Sequence, residues 1–478
     1  MADQADVRAT LQALLLSAGR AEGWLAQQRW YADKGRAITS SEVVALRLEP
    51  APEGTLALVV AQFRYADRGV SRYFLPLHLA ADGVGVPLGR IGDVAVFDAT
   101  AQPWFGEWLL RAFQEHDAGW LVDLGPAGAD YLDRAAAFPA QVLRGEQSNT
   151  SLRFGDAIIV KLFRKLQPGV NPDEEALRVL SAQGFAHAPP FVGSLAWRGP
   201  DGVPFPLALA TGFVPHRADG WTWLLARLQE VAAGGEFDIG PERLLGQRTA
   251  EMHLALAMAG NEAFTPEIST SGDVEQNQAR TRAAFQQAAD IIRERADALP
   301  PETQNAMPAI VAALQRAEAD VAGYDVELGL PRIRTHGDLH LGQTLRTDDD
   351  WVILDFEGEP ARPVEERRLR ASVLKDVAGM LRSFAYARGA ASLALPEAGR
   401  TLAESRLLEW ESAARAAFLD GYRQTSSDAG MALVPESDDG FARALRAWEL
   451  DKALYEVGYE ARNRPNWLAI PLAALAPA

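Results

Sequence analysis

Apolar positions recur at helical spacing over residues 8–30, a run that closes on QQRWYADKGR. The period then changes. Three short, β-branched and apolar runs follow: EVVALRL at 42–48, TLALVVAQFRY at 55–65 and SRYFLPLHL at 71–79. Acidic, Gly and Pro residues separate them, which predicts an antiparallel meander. IGDVAVFDA from Ile91 predicts a further strand, and PWFGEWLLRAFQEH from Pro103 predicts a helix with Pro in its first turn. Past a Gly-rich join at 124–130, QVLRGEQSNTSLRFGDAIIVKLFRKL predicts strand, polar turn, strand, FGD turn and an apolar strand ending near Lys161. PGVNPDEEALRVLSAQG supplies a helix, and Asn171-Pro172-Asp173 suits its N-terminus. FPLALATGFVP from Phe205 predicts a buried strand and a connector. Beyond about residue 216 the pattern is helical, with helices predicted at 239–259, 273–298, 302–323, 365–388, 402–424 and 439–462. IRTHGDLHLGQTLRTDDDWVILDFEGEP, from Ile333, interrupts them as loop, short strand, turn and an apolar strand ending at Asp355.

That order is an α+β chain in three segments: a small cap at 1–125, a strand-rich lobe at 126–215 and a helix-rich lobe at 216–478. Composition adds exclusions. Cys is absent, so disulfides, thiolate metal sites and a cysteine nucleophile are excluded. The formal net charge of −17 argues against a broad nucleic-acid footprint and against an anionic membrane partner, while leaving room for a local anion site. Asp3 and Asp6 do not suit a secretory signal, and no run approaches the length of a membrane span. The chain therefore reads as soluble and cytoplasmic.

The candidate chemistry gathers around His336-Gly337-Asp338-Leu339-His340. Gln343 follows Asp338 by five residues, and Asp355 and Glu357 come one short hairpin later, after the apolar run WVIL. Phosphoryl transfer needs a carboxylate to accept an alcohol proton and oxygen ligands for Mg²⁺. Asp338 suits the first role; Gln343, Asp355 and Glu357 suit the second. In the strand-rich lobe, Lys161 follows AIIV and can neutralise nucleotide phosphates, with Glu175 on the next helix to orient it. Gly145-Glu146-Gln147-Ser148-Asn149-Thr150 is a turn able to cover phosphates, although neither a Walker A loop nor GxGxxG is present. Each piece alone has a plainer reading: a turn-capping Asp, a surface amide, a solvated edge Lys, a polar hairpin.

Taken together, GEQSNTSL, FGDAIIVKLFRKLQPGVNPDEE, HGDLHLGQTL, ILDFEGEPARPVEERR and LDKALYEVGYEARNRPNWLAIPL resemble the bacterial maltokinases and the closely related glucosamine kinases. Arg29-Trp30-Tyr31 through Lys34-Gly35-Arg36 resemble the start of their N-terminal cap. The resemblance runs from about residue 20 to the end. It implies a bilobal protein-kinase-like fold with an N-terminal α/β cap, a strand-rich N-lobe and a helical C-lobe. It implies ATP and Mg²⁺ as cofactors, Asp338 as base, and Gln343 and Asp355 as metal ligands with Glu357 beside them. Lys161, Glu175, Ser148, Asn149 and Thr150 would serve ATP, and Thr211–Val214 would be the adenine hinge. His336, Asp338, Lys452, Tyr455, Glu456 and Tyr459 would line the acceptor sugar. The last four also fall at i, i+3, i+4 and i+7, one helical face of aromatic and hydrogen-bonding groups.

The implied activity is ATP-dependent phosphorylation of maltose at its anomeric hydroxyl, giving maltose 1-phosphate for α-glucan or glycogen synthesis. An amino-sugar acceptor such as glucosamine is the alternative within the family, and a catalytically silent sugar-binding pseudokinase the alternative outside it. A glycosidase built on Asp355 and Glu357 fits the context poorly. A small-molecule sugar is the expected partner, in a monomer or weak homodimer, with no nucleic acid or membrane. Two positions depart from the family pattern: Asp33, where a small residue is expected, and Ala385, where an acidic one is usual. Both are assigned to the substrate side.

Overall fold

In the computed structural model, residues 4–18, 23–114, 120–143, 148–359, 362–395 and 400–476 are described. The chain divides into one unit of Met1–Arg178 with Pro189–Pro215 and another of Val179–Ala188 with His216–Ala478.

The first unit carries two antiparallel sheets. The predicted meander is present as Ile38–Ala51, Gly54–Tyr65 and Val70–Ala80, continued by Val94–Asp98 and Gly89–Ile91. Alternate residues of a strand face opposite sides. Ala57, Val59, Ala61, Phe63 and Tyr65 therefore meet Val7, Leu11 and Leu15 of the helix Gln4–Ala18, together with Trp24, Trp30 and Tyr73, in one buried cluster. Leu56, Leu58 and Val60 on the other face are buried as well, which is why this strand reads as a continuous apolar run rather than an alternating one.

The second sheet runs in the order Trp120–Leu124, Phe191–Arg198, Pro204–Gly212, Ile158–Phe163, Asn149–Phe154 and Ala140–Val142. The FGD turn joins two of these strands, with Gly155 in the left-handed region at φ 51°. Lys165–Leu166 pairs with Tyr73 and Arg72, tying the two sheets together. The helix after Asn171 is Pro172–Ala182, and the Asn171 side-chain oxygen accepts the Glu174 N–H at 3.1 Å.

The second unit is mainly helical, with long helices Gly240–Ala257, Ser271–Glu294, Leu374–Leu393, Arg400–Asp428 and Asp438–Asn463. Three predictions need correction. The run at 302–323 is not one helix: Met307-Pro308 starts a new one, Met307–Ala317, because proline cannot donate the N–H that would continue the preceding turn. The helix predicted over 365–388 is broken: a short helix Val364–Arg367 stops where Ala371 pairs with Ile333 in a β-bridge, and the long helix Leu374–Leu393 follows. The helix Gly220–Ala232 was not predicted, although its cap is visible in the sequence: Asp219 accepts the Thr222 N–H at 2.8 Å. A small sheet of Ala218–Asp219, Thr344–Arg346 and Trp351–Ile353 holds the hairpin between Asp338 and Asp355.

Candidate active site

The loop around Asp338 has no regular backbone pairing, so side chains must hold it. Asp376, in the first turn of Leu374–Leu393, accepts the N–H groups of His336 at 2.7 Å and Gly337 at 2.9 Å. His253 reaches the same carboxylate at 3.1 Å, and its other ring nitrogen lies 2.9 Å from the Tyr422 hydroxyl. Burial works against charge on Asp376, but the His253 bond and the nearby His253 and His336 outweigh it and hold the carboxyl below its ordinary range. One and two turns along, Gly379 and Ser383 continue the contact. A Cβ on Gly379 would stand 2.5 Å from the Leu339 carbonyl oxygen, and the Ser383 hydroxyl accepts the Leu341 N–H at 3.1 Å. None of these residues was assigned a role from sequence, although Asp376, Gly379 and Ser383 share one helical face.

His336 belongs to this framework. It was expected beside sugar hydroxyls, but it is 1% exposed and lines neither cavity at Asp338. Its Nδ1 accepts the Asp338 N–H at 3.4 Å, its Nε2 donates to the Leu354 carbonyl at 2.7 Å, and its ring packs on Phe356. It shapes the Asp338 turn.

Lys452 donates to the Asp338 carboxylate at 2.9 Å. Burial would raise the Asp338 pKa, yet the Lys452 and His340 charges outweigh it and keep the group below its ordinary value. Burial pulls Lys452 down, and Asp338, Glu359 and Glu456 more than restore it. Asp338 is therefore a carboxylate, and Lys452 an ammonium, at neutral pH.

The hairpin sets the second group. Leu354 donates its N–H to the Gln343 carbonyl at 2.9 Å, which places the Gln343 side chain beside Asp355. Its amide nitrogen donates to Asp355 at 2.9 Å. Asp355 is left-handed at φ 63°, an uncommon conformation for a residue with a side chain. Carboxylate oxygens of Asp355 and Glu357 lie within 4.8 Å of one another. Two carboxylates and an amide, which offers its oxygen after a half-turn, form a hard-oxygen donor set suited to Mg²⁺.

The face at 452, 455, 456 and 459 is divided. Tyr455 and Tyr459 are 57% and 45% exposed, whereas Glu456 turns inward to Arg382, which donates to it at 2.9 and 3.0 Å. Two cavities meet at Asp338, and both touch Lys452, Tyr455, Tyr459 and Glu359. One, of about 380 Å³, continues past Arg280 and Gln287. The other, of about 400 Å³, is walled by Trp221, Tyr386 and Trp467. Glu359, which had no assigned role, is held below its ordinary pKa: burial opposes this, and Lys375, Arg362 and Lys452 prevail.

In the first unit, Lys161 lies within the strand Ile158–Phe163, half-buried, paired to Ser151 and Leu209. Glu175 is half-buried in the first turn of Pro172–Ala182. Thr150 is a buried residue of the strand Asn149–Phe154. Its hydroxyl accepts from the fully buried Arg164 at 2.8 Å, and Arg164 also donates to Asp98 and Thr100. Ser148 and Asn149 remain beside the turn, whose Gly145, Glu146 and Gln147 lie outside the described residues. In the connector Thr211–Val214, Phe213 donates its N–H to Ala157 at 3.0 Å. Asp33, 4% exposed, accepts from Tyr73 at 2.6 Å, Arg36 at 2.7 Å, Lys165 at 3.0 Å and Tyr65 at 3.1 Å. It is an interior anchor of the first unit rather than a substrate contact. Ala385 is buried and lines neither cavity.

Residues 24–107 match a family model described as the maltokinase N-terminal cap domain. A glucosamine kinase of Mycolicibacterium smegmatis is 29% identical over 349 residues, covering 71% of this chain and 81% of that protein. A glucosamine kinase of Streptacidiphilus jiangxiensis is 29% identical over 403 residues, covering 81% of this chain and 83% of that protein. A solved structure of a glucosamine kinase in complex with glucosamine, ADP and inorganic phosphate superposes with a TM-score of 0.68 at 25% identity, covering 96% and 97% of the two chains.

Proposed function

We propose, from the premise that this chain belongs to the family of maltokinases and glucosamine kinases and is an ATP-dependent sugar phosphotransferase, that Asp338 accepts the proton of a sugar hydroxyl as that oxygen attacks the γ-phosphate of ATP. The observation that carries this is the Asp338 carboxylate, held ionised by Lys452 at 2.9 Å on a loop pinned by Asp376. Proton acceptance requires the charged form, and positioning of this kind supplies much of the rate in phosphoryl transfer. Gln343, Asp355 and Glu357 would hold the Mg²⁺ that offsets phosphate charge. Lys161 with Glu175, and the Ser148–Asn149 end of the turn, would serve the nucleotide, with the Thr211–Val214 backbone at the adenine. Thr150 would fix the strand through Arg164.

Glucosamine is the acceptor favoured here. The glucosamine kinases are matched over most of the chain, whereas the maltokinase cap match ends at residue 107, before any residue of the Asp338 site. The cavity walled by Trp221 and Trp467 also sets Asp338 and Glu359 beside aromatic faces, a lining suited to a pyranose that carries an ammonium. Maltose, phosphorylated at its anomeric hydroxyl, is the second reading, and the cap match favours it.

The test is Mg²⁺- and ATP-dependent phosphorylation of maltose, glucose, glucosamine and an aminoglycoside, with the product position read by NMR. Preference for glucosamine supports the first reading, and maltose 1-phosphate supports the second. Sugar binding without ATP consumption would mark a pseudokinase and overturn both. Asp338→Asn is expected to abolish turnover while leaving ATP binding nearly intact; wild-type activity in that variant refutes the base assignment.

A further inference from the structure

A third cavity lies wholly within the first unit, apart from every residue assigned above. It measures about 260 Å³. Its walls are Phe74, Trp108 and Trp120 with Leu109, Leu162, Leu195, Leu207 and Ala208, most of them fully buried side chains. The two indoles are half-buried. Trp108 is set in place, because its indole N–H donates to Glu49 at 2.6 Å and Glu49 pairs with Arg47 at 2.6 Å. At the edge stands Arg111, exposed, with no hydrogen bond or ion pair among the described residues. Aromatic walls with one convergent charged group are the usual make-up of a small-molecule site.

We propose that this cavity binds a flat, apolar organic anion, with its rings against Trp108 and Trp120 and its carboxylate on Arg111. Arg47 does not serve the anion, since Glu49 already takes it; Arg111 has no such competitor among the described residues. The guanidinium fork matches a carboxylate in shape as well as charge. The site sits behind the nucleotide strand. Leu162 and Ala208 face each other across the strands Ile158–Phe163 and Pro204–Gly212, and Leu162 directly follows Lys161, whose side chain leaves the opposite face. An occupant thus packs against the back of the strand that carries Lys161.

The protein is titrated calorimetrically with 2-naphthoate and, separately, with 2-naphthamide, which has the same shape without the charge. One 2-naphthoate per chain is expected, bound roughly tenfold more tightly than the amide. Arg111→Gln, an exposed change that leaves the fold intact, is expected to remove that tenfold preference. Ala112→Trp, at the cavity wall, is expected to abolish binding of both compounds. Equal binding of acid and amide to the wild type overturns the anion assignment, as does an unchanged preference in Arg111→Gln. No binding to the wild type at millimolar ligand, or full binding in a folded Ala112→Trp protein, overturns the site. A failure of the sugar-kinase reading leaves this result untouched, because none of these measurements uses turnover.

Discussion

Replacing Lys452 with Met removes the cation that holds Asp338 ionised. At 2.9 Å and an effective dielectric of about 20, the Coulomb attraction is about 6 kcal/mol. Hydration lost by the pair offsets part of it, and a carboxylate beside a cation is typically depressed by about 1–3 pH units, or about 1.4–4 kcal/mol. Burial already pushes Asp338 upward and dominates once Lys452 is gone. The acid limb of kcat/KM against pH, which reports the free enzyme, is therefore expected to move to higher pH in Lys452→Met. The sign follows from the depressed pKa. The wild-type base stays charged down to acidity below the ordinary carboxylate value, while the variant loses it at higher pH. Activity that the variant loses on the acid side should be recovered as pH rises. Lys452 also lines both cavities, so the sugar KM is expected to rise, but a pure contact loss would lower the profile without moving its limb. An unmoved limb refutes the electrostatic role of Lys452, whatever happens to KM.

Other expectations concern the supports. Asp376→Asn should lower unfolding free energy by about 2–4 kcal/mol at pH 7, from charged hydrogen bonds to two amides and His253, read by urea melts. Because the Asp376 pKa is depressed in the folded state, that contribution is full above the unfolded value, about 3.9, and fades as pH falls through the folded one; the variant should converge with wild type in acid. Gly379→Ala puts a methyl 2.5 Å from the Leu339 oxygen and is expected to displace the loop, costing about 1–3 kcal/mol and lowering kcat more than the ATP KM. Asp355→Asn should raise the Mg²⁺ concentration needed for half-maximal activity by at least about tenfold; an unchanged Mg²⁺ titration removes Asp355 from the ligand set.

Much of the site was legible because it is local. Asp338, Gln343 and Asp355 lie on one short loop and hairpin, and antiparallel register sets Gln343 opposite Leu354, the neighbour of Asp355. The Lys161 strand, the FGD turn and the Asn171 cap follow from apolar runs and turn chemistry. The face of 452, 455, 456 and 459 was legible as a helix but not as a set of environments. Helical spacing places residues on one side; only the neighbouring helix, through Arg382, turns Glu456 inward while Tyr455 and Tyr459 stay in the cleft. His336 was read as a sugar contact from the family resemblance, and its bond to Leu354 depends on a residue eighteen positions away, just past the strand Trp351–Ile353.

The amino-acid order by itself determined the strand-rich first part, the helical second part and the short stretch from His336 to Glu357, since periodicity and turn residues act over a few positions. Tertiary structure decided what charges and restrains that stretch. Asp376, His253 and Tyr422 meet from helices separated by 123 and 169 residues, and Lys452 reaches Asp338 across 114. Nothing in local spacing encodes such meetings. They arise because a buried carboxylate keeps its charge only where packing brings it enough donors, and the fold supplies those from distant helices.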